Sequence, residues 1–111
     1  MKNIKDIYNK LLEEYSDWKI ELDNNNITLE KDMFYIYANE DMVGINKKYN
    51  ILGFLDGHRH PTSFENMYND IVYYITNKDI LLKKQIRKDR VCVVLLVIML
   101  VLFIVLSFIV N

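Results

Sequence analysis

The chain has 111 residues, 51% of them hydrophobic and 26% charged, and its formal net charge of −1 conceals an asymmetry: residues 1–76 carry thirteen acidic against eight basic side chains, and residues 77–90 carry two against six. A head of net −5 excludes nucleic acid as the natural partner, because phosphates demand the opposite sign. About seventy-five residues bury one modest core and leave little room for a deep catalytic pocket, and the single cysteine, Cys92, excludes an intrachain disulfide and fits a reducing cytoplasm.

The first element predicted is a helix. Ile4, Ile7, Tyr8, Leu11, Leu12 and Tyr15 recur at helical spacing, Asn3 is placed to cap the start, and Asp6 suits the positive end of the dipole. The period then changes to two. Trp18, Ile20 and Leu22 alternate with Lys19, Glu21 and Asp23 as a half-buried strand. Asn24-Asn25-Asn26 tolerates the left-handed angles of a tight hairpin, and Ile27 and Leu29 alternate with Thr28 and Glu30 on the way back. Lys31-Asp32 breaks the chain again before Met33 to Ala38 (MFYIYA), a strand apolar or aromatic on both faces and therefore expected at the centre of a sheet. Further strands are expected at Met42 to Asn46 and Ile51 to Leu55, giving a four- to five-stranded antiparallel meander.

A second helix follows Pro61, with Phe64, Met67, Tyr68, Ile71, Val72 and Ile75 as its stripe. Thr62 and Glu65 have the spacing of a capping box, in which the Thr62 hydroxyl takes the Glu65 amide. Asn77 either ends this helix or marks a bend before the basic stalk. Tyr8, Tyr15, Phe34, Phe64 and Tyr68 are expected to face inward, and Tyr73 and Tyr74, beside the stripe, to be partly exposed. Val91 to Val110 (VCVVLLVIMLVLFIVLSFIV) contains no charge, Pro or Gly, and as a helix it spans about 30 Å, the hydrocarbon thickness of a bilayer. The fold expected is α+β, both helices on one face of the sheet, followed by a single C-terminal transmembrane helix. Its parts are a domain at 1–76, a basic stalk at 77–90 and the span at 91–110.

The stalk residues Lys83, Lys84, Arg87, Lys88 and Arg90 lie directly before the span. The positive-inside rule keeps such a flank cytoplasmic, so a single-pass, tail-anchored topology with a cytoplasmic N-terminal domain is expected. The stalk is also drawn to anionic lipid headgroups, at roughly 1 kcal/mol per basic residue. Cys92 reads as a small apolar residue of the span more readily than as a palmitoylation site.

Asp56-Gly57-His58-Arg59-His60-Pro61 is the cluster with most chemical potential. On an extended strand Asp56, His58 and His60 share one side, which makes them weak candidates for a divalent metal. A turn at Asp56-Gly57 with a histidine bonded to a backbone carbonyl is the more economical reading, and a partner contact through Arg59 is a third. No nucleophile has a triad-like setting and no glycine-rich phosphate loop is present, so no enzyme and no cofactor are expected.

The segment Ile51 to Ile75, with Gly57-His58-Arg59-His60-Pro61 before a capped amphipathic helix, resembles the Gly-His-aromatic-His-Pro corner of small α+β proteins of A+T-rich Gram-positive bacteria. Arg59 takes the place of the aromatic. Some of those proteins are immunity proteins that neutralise a cognate toxin, so the resemblance implies an accessory or immunity role and carries over no site residue. The function expected is a membrane-tethered module that binds a basic protein through Glu13, Glu14, Asp17, Arg59, Tyr73 and Tyr74. A structural or regulatory subunit of a bacterial or viral membrane complex is the alternative, and a metal-dependent enzyme ranks below both.

Overall fold

The computed structural model describes residues 1–48 and 55–110. The elements are α1 (Ile4–Glu14), β1 (Lys19–Asp23), β2 (Asn26–Lys31), β3 (Phe34–Ala38), β4 (Val43–Lys47), β5 (His58–Arg59) and α2 (Phe64–Val110). The five strands form one antiparallel sheet in the order β1-β2-β3-β4-β5, so the expected α+β meander is present with β3 at its centre.

Two tight turns set the register. Asp23 pairs with Asn26 across a two-residue loop in which Asn24 has φ 55°, and Lys31 pairs with Phe34 across another in which Asp32 has φ 53°. Asn and Asp accept this left-handed geometry at less cost than other side-chain-bearing residues, which is why the chain reverses there. Period two then sends Ile20, Ile27, Leu29, Phe34, Ile36, Ala38, Val43 and Ile45 to one buried face. The opposite face carries Lys19, Glu21, Thr28, Glu30, Tyr35, Tyr37 and Asn46, half-buried or exposed.

Helix α1 buries Ile7 and Leu11 completely and is capped as expected, the Asp6 amide donating to Asn3 Oδ1 at 2.9 Å. Asp6 Oδ2 in turn accepts from the Lys2 amide at 2.9 Å. Helix α2 repeats this device one residue later than the sequence pattern suggests. Ser63, not Thr62, is the cap: its Oγ accepts from the Asn66 amide at 3.0 Å, and Asn66 Oδ1 accepts from the Thr62 amide at 3.2 Å. Glu65 stays exposed in the first turn, where the dipole alone favours it.

Asn77 does not end α2. Its amide group donates to the Tyr73 carbonyl at 2.8 Å and the helix runs through it. Of the expected stripe Met67, Tyr68, Ile71 and Ile75 are buried, Phe64 and Val72 are half-buried, and Tyr74 and Leu81 join the buried side. Lys78 lies on this stripe too, with its ammonium 5.3 Å from the centre of the Phe34 ring. Of the aromatic residues expected inside, Phe34 and Tyr68 are buried, whereas Tyr8 and Tyr15 are half-buried. Compact units divide the chain at Leu81, which is 2% exposed and belongs to the first unit. The second, residues 82–111, contains the apolar segment, whose described side chains are exposed throughout. That segment, with a mean hydropathy of 3.6 over its most apolar window, is long and apolar enough to cross a bilayer. Within it Ser107 Oγ donates to the Phe103 carbonyl at 3.0 Å, so its one hydroxyl is satisfied inside the helix.

Candidate functional site

The histidine corner begins with a turn. Gly57 has φ 61°, a conformation that L side chains rarely adopt, and it breaks the extended run on which a three-ligand alignment depends. Leu55, buried, donates its amide to the Ile45 carbonyl at 2.9 Å. The expected strand at Ile51 to Leu55 lies otherwise outside the described residues. The fifth strand is His58–Arg59, pairing with Gly44 and Val43 of β4.

His58 and His60 come together edge to face, ring centres 4.7 Å apart and planes at 84°. His60 Nδ1–H donates to the Asp41 carbonyl at 3.0 Å, which ties the corner to the β3–β4 turn. Asp56 is not part of this pair. Among the described residues no group of three or more His, Cys, Asp or Glu is placed to hold a metal ion, and the histidine that bonds a backbone carbonyl matches the structural reading of this corner.

Arg59 and the helix tyrosines are brought together, in a different way from that expected. Arg59 Nη1 lies 3.5 Å from Asp70 Oδ1, and the guanidinium stacks 3.9 Å from the centre of the Tyr73 ring. Asp70, 8% exposed, is the one buried charged residue among those described, so Arg59 serves as its counter-ion. Tyr74, expected to be partly exposed, is fully buried. Its position, seven residues after Met67, puts it on the buried stripe, and the hydrophobic spacing 67, 71, 74 was the available signal. The same spacing placed Asp70 beside that stripe. Neither Tyr74 nor Asp70 is therefore positioned to greet a partner.

The acidic candidates divide similarly. Glu13 is exposed. Glu14 accepts a hydrogen bond from the Tyr68 hydroxyl, and Lys10 sits 4.3 Å over the Tyr68 ring, so α1 and α2 are joined there. Asp17 pairs with Lys31, whose hydrogen bond holds the Asp17 carboxyl below its usual range. Tyr73 is half-buried under Arg59. Lys83, Lys84, Arg87, Lys88 and Arg90 are all exposed on the helix that continues into the apolar segment.

The outer face of the sheet has a built polar edge that periodicity alone did not reveal. Tyr37 Oη donates to Asn26 Oδ1 at 2.8 Å, and Asn39 Nδ2 donates to Tyr37 Oη at 3.2 Å. Asn39 also closes the next turn, its Oδ1 accepting from the amides of Asp41 at 2.9 Å and Met42 at 2.8 Å. These bonds hold the backbone of the turn that carries the two exposed residues Glu40 and Asp41, and the Asp41 carbonyl also takes the His60 bond.

No family model matches the chain, and no curated protein or solved structure matches it.

Proposed function

We propose that the protein is a membrane-tethered module that binds a protein partner on the cytoplasmic side, with an immunity protein that neutralises a basic toxin as its concrete case. The observation that carries this reading is α2, one helix whose early turns supply Met67, Ile71, Tyr74 and Leu81 to the head's core and whose last twenty residues are apolar and exposed. A folded head that shares its helix with a membrane-competent segment is held at the surface of a bilayer. Binding to a tethered module benefits from the high local concentration this gives. The five exposed basic residues between Leu82 and Val91 support a cytoplasmic head through the positive-inside rule, and they favour anionic headgroups. The net charge of residues 1–76 supports a basic partner, whose capture complementary charge accelerates.

The test is affinity capture of the tagged full-length protein from gently solubilised native membranes, followed by mass spectrometry and an anchor swap. A stoichiometric basic partner that is retained when residues 91–110 are replaced by an unrelated apolar helix supports the module. Membrane subunits that are captured with the native span and lost with the swap would transfer the function to the bilayer, as a subunit of a membrane complex.

A further inference from the structure

A surface cavity of about 350 Å³ opens where the β3–β4 turn meets the start of α2, lined by Glu40, Asp41, Pro61, Thr62, Ser63, Phe64 and Met67. Its chemistry is divided between two walls. The half-buried Pro61 and Phe64 make an apolar surface, with the buried Met67 beneath it, and Glu40 and Asp41 are exposed. Among the described residues neither carboxylate has an ion-pair or hydrogen-bond partner.

The backbone beneath both walls is set before anything binds. The turn is closed by the Asn39 amide donating to the Met42 carbonyl at 2.9 Å and by the two bonds to Asn39 Oδ1, and His60 clasps it through the Asp41 carbonyl. The helix start is fixed by the Ser63 and Asn66 caps. Preorganisation of this kind removes much of the ordering cost of association.

The helix N-terminus on its own would favour an anion. Magnitude decides against it. The dipole contributes about half a charge, spread over the first-turn amides, and the Asn66 and Thr62 amides are already satisfied by side chains. Against that stand two full carboxylates at the cavity and a third, Glu65, exposed in the first turn.

We infer that this cavity is the anchor site for one basic side chain of the protein partner, an arginine or lysine whose charged head lies between Glu40 and Asp41 and whose aliphatic stem lies on Pro61 and Phe64. A long cationic side chain is the residue type that combines an apolar stem with a charged end, as these two walls require. The inference rests on the reading of the head as a protein-binding module and names the part of its surface that does the binding.

The probe is acetyl-arginine amide, titrated into the isotope-labelled full-length protein in neutral phosphatidylcholine nanodiscs and followed by the backbone amide shifts of Glu40, Asp41, Ser63 and Phe64. Saturable shifts confined to this corner are expected. Binding should weaken about tenfold in E40Q/D41N, a change to two exposed side chains that leaves every backbone bond of the turn in place. The acetyl-citrulline amide, of the same shape without the charge, should not saturate. No saturable shift with the arginine probe, equal binding by the citrulline probe, or occupation of the same amides by inorganic phosphate would each overturn the inference. A captured partner that binds E40Q/D41N undiminished would overturn this anchor site and leave the binding module standing. A specific arginine response without any captured partner would support the cavity and sink the module.

Discussion

The Arg59 guanidinium lies 3.5 Å from the buried Asp70 carboxylate and 3.9 Å from the centre of the Tyr73 ring, so a two-residue strand is fastened to α2 by a single side chain. Removing that side chain leaves Asp70 without its counter-ion. Arg59→Ala is expected to destabilise the head by about 1–3 kcal/mol, below the range for a fully buried pair because the Arg59 side chain is itself 41% exposed. Arg59→Lys should recover only part of this, since an ammonium lacks the planar face that stacks on Tyr73. Chemical denaturation of the detergent-solubilised protein measures both, and the double variant Arg59→Met with Asp70→Leu should lie nearer the parent than either single change.

Tyr74 buries its hydroxyl without a hydrogen-bond partner among the described residues. Tyr74→Phe removes that unsatisfied group and keeps the ring, so stability should be unchanged or rise by up to about 1 kcal/mol. Tyr74→Ala, which empties a core position, should cost about 3–5 kcal/mol. Comparing unfolding midpoints of the two variants separates the ring from the hydroxyl.

Burial raises the phenol pKa of Tyr15, Tyr35, Tyr68 and Tyr74 above 10.0, Tyr68 furthest because it also donates to Glu14. A raised folded value means the folded state holds the proton more tightly, so stability is complete below about pH 10 and falls as pH rises above it. Tyr68→Phe should flatten that alkaline decline. Unfolding midpoints between about pH 9 and 12, read beside the ultraviolet titration of tyrosinate, test the sign.

The position of the α2 cap is open to a direct comparison. Ser63→Ala removes the hydrogen bond to the Asn66 amide and should cost about 1 kcal/mol. Thr62→Ala should cost distinctly less, because the Thr62 amide rather than its hydroxyl is bonded. Equal costs in thermal unfolding would count against the capping geometry.

Replacement of Lys83, Lys84, Arg87, Lys88 and Arg90 by Gln tests the topology proposed above. The head should then lose its single orientation, and protease accessibility in sealed vesicles of known sidedness should pass from one population to two. The parent protein should show one protected and one accessible sidedness only.

Local periodicity made much of the fold legible. Ile20, Ile27 and Ile36 fall on the buried sheet face because strands repeat every two residues, and Asn24 and Asp32 mark the reversals because their side chains tolerate positive φ. Three features escaped the same reasoning. The cap moved by one residue because Ser63 and Thr62 are chemically equivalent candidates, and only the backbone path after Pro61 separates them. Tyr74, expected at the edge of the stripe, lies on the buried side that the spacing 67, 71, 74 indicates, and the pairing of Arg59 with Asp70 joins positions eleven residues apart, a contact that no helical wheel contains. The Glu40/Asp41 cavity draws its walls from residues twenty or more positions apart, each unremarkable in its own segment.

The strictly sequential strand order gives the sheet a kinetic consequence. Each strand pairs with the neighbour just synthesised, so the meander through β4 can form early and without long loop closures. Helix α1 covers only part of the sheet's apolar face, the rest waits for residues 64–81, and beyond the nine largely charged residues 82–90 come twenty greasier still. The nascent chain therefore faces a sorting problem between two hydrophobic stretches on one helix. The one-sided stripe must find the sheet, and the all-round apolar turns, long and apolar enough to cross a bilayer, must stay off it. A swap between the two destinations would leave an aggregation-prone sheet with an exposed face.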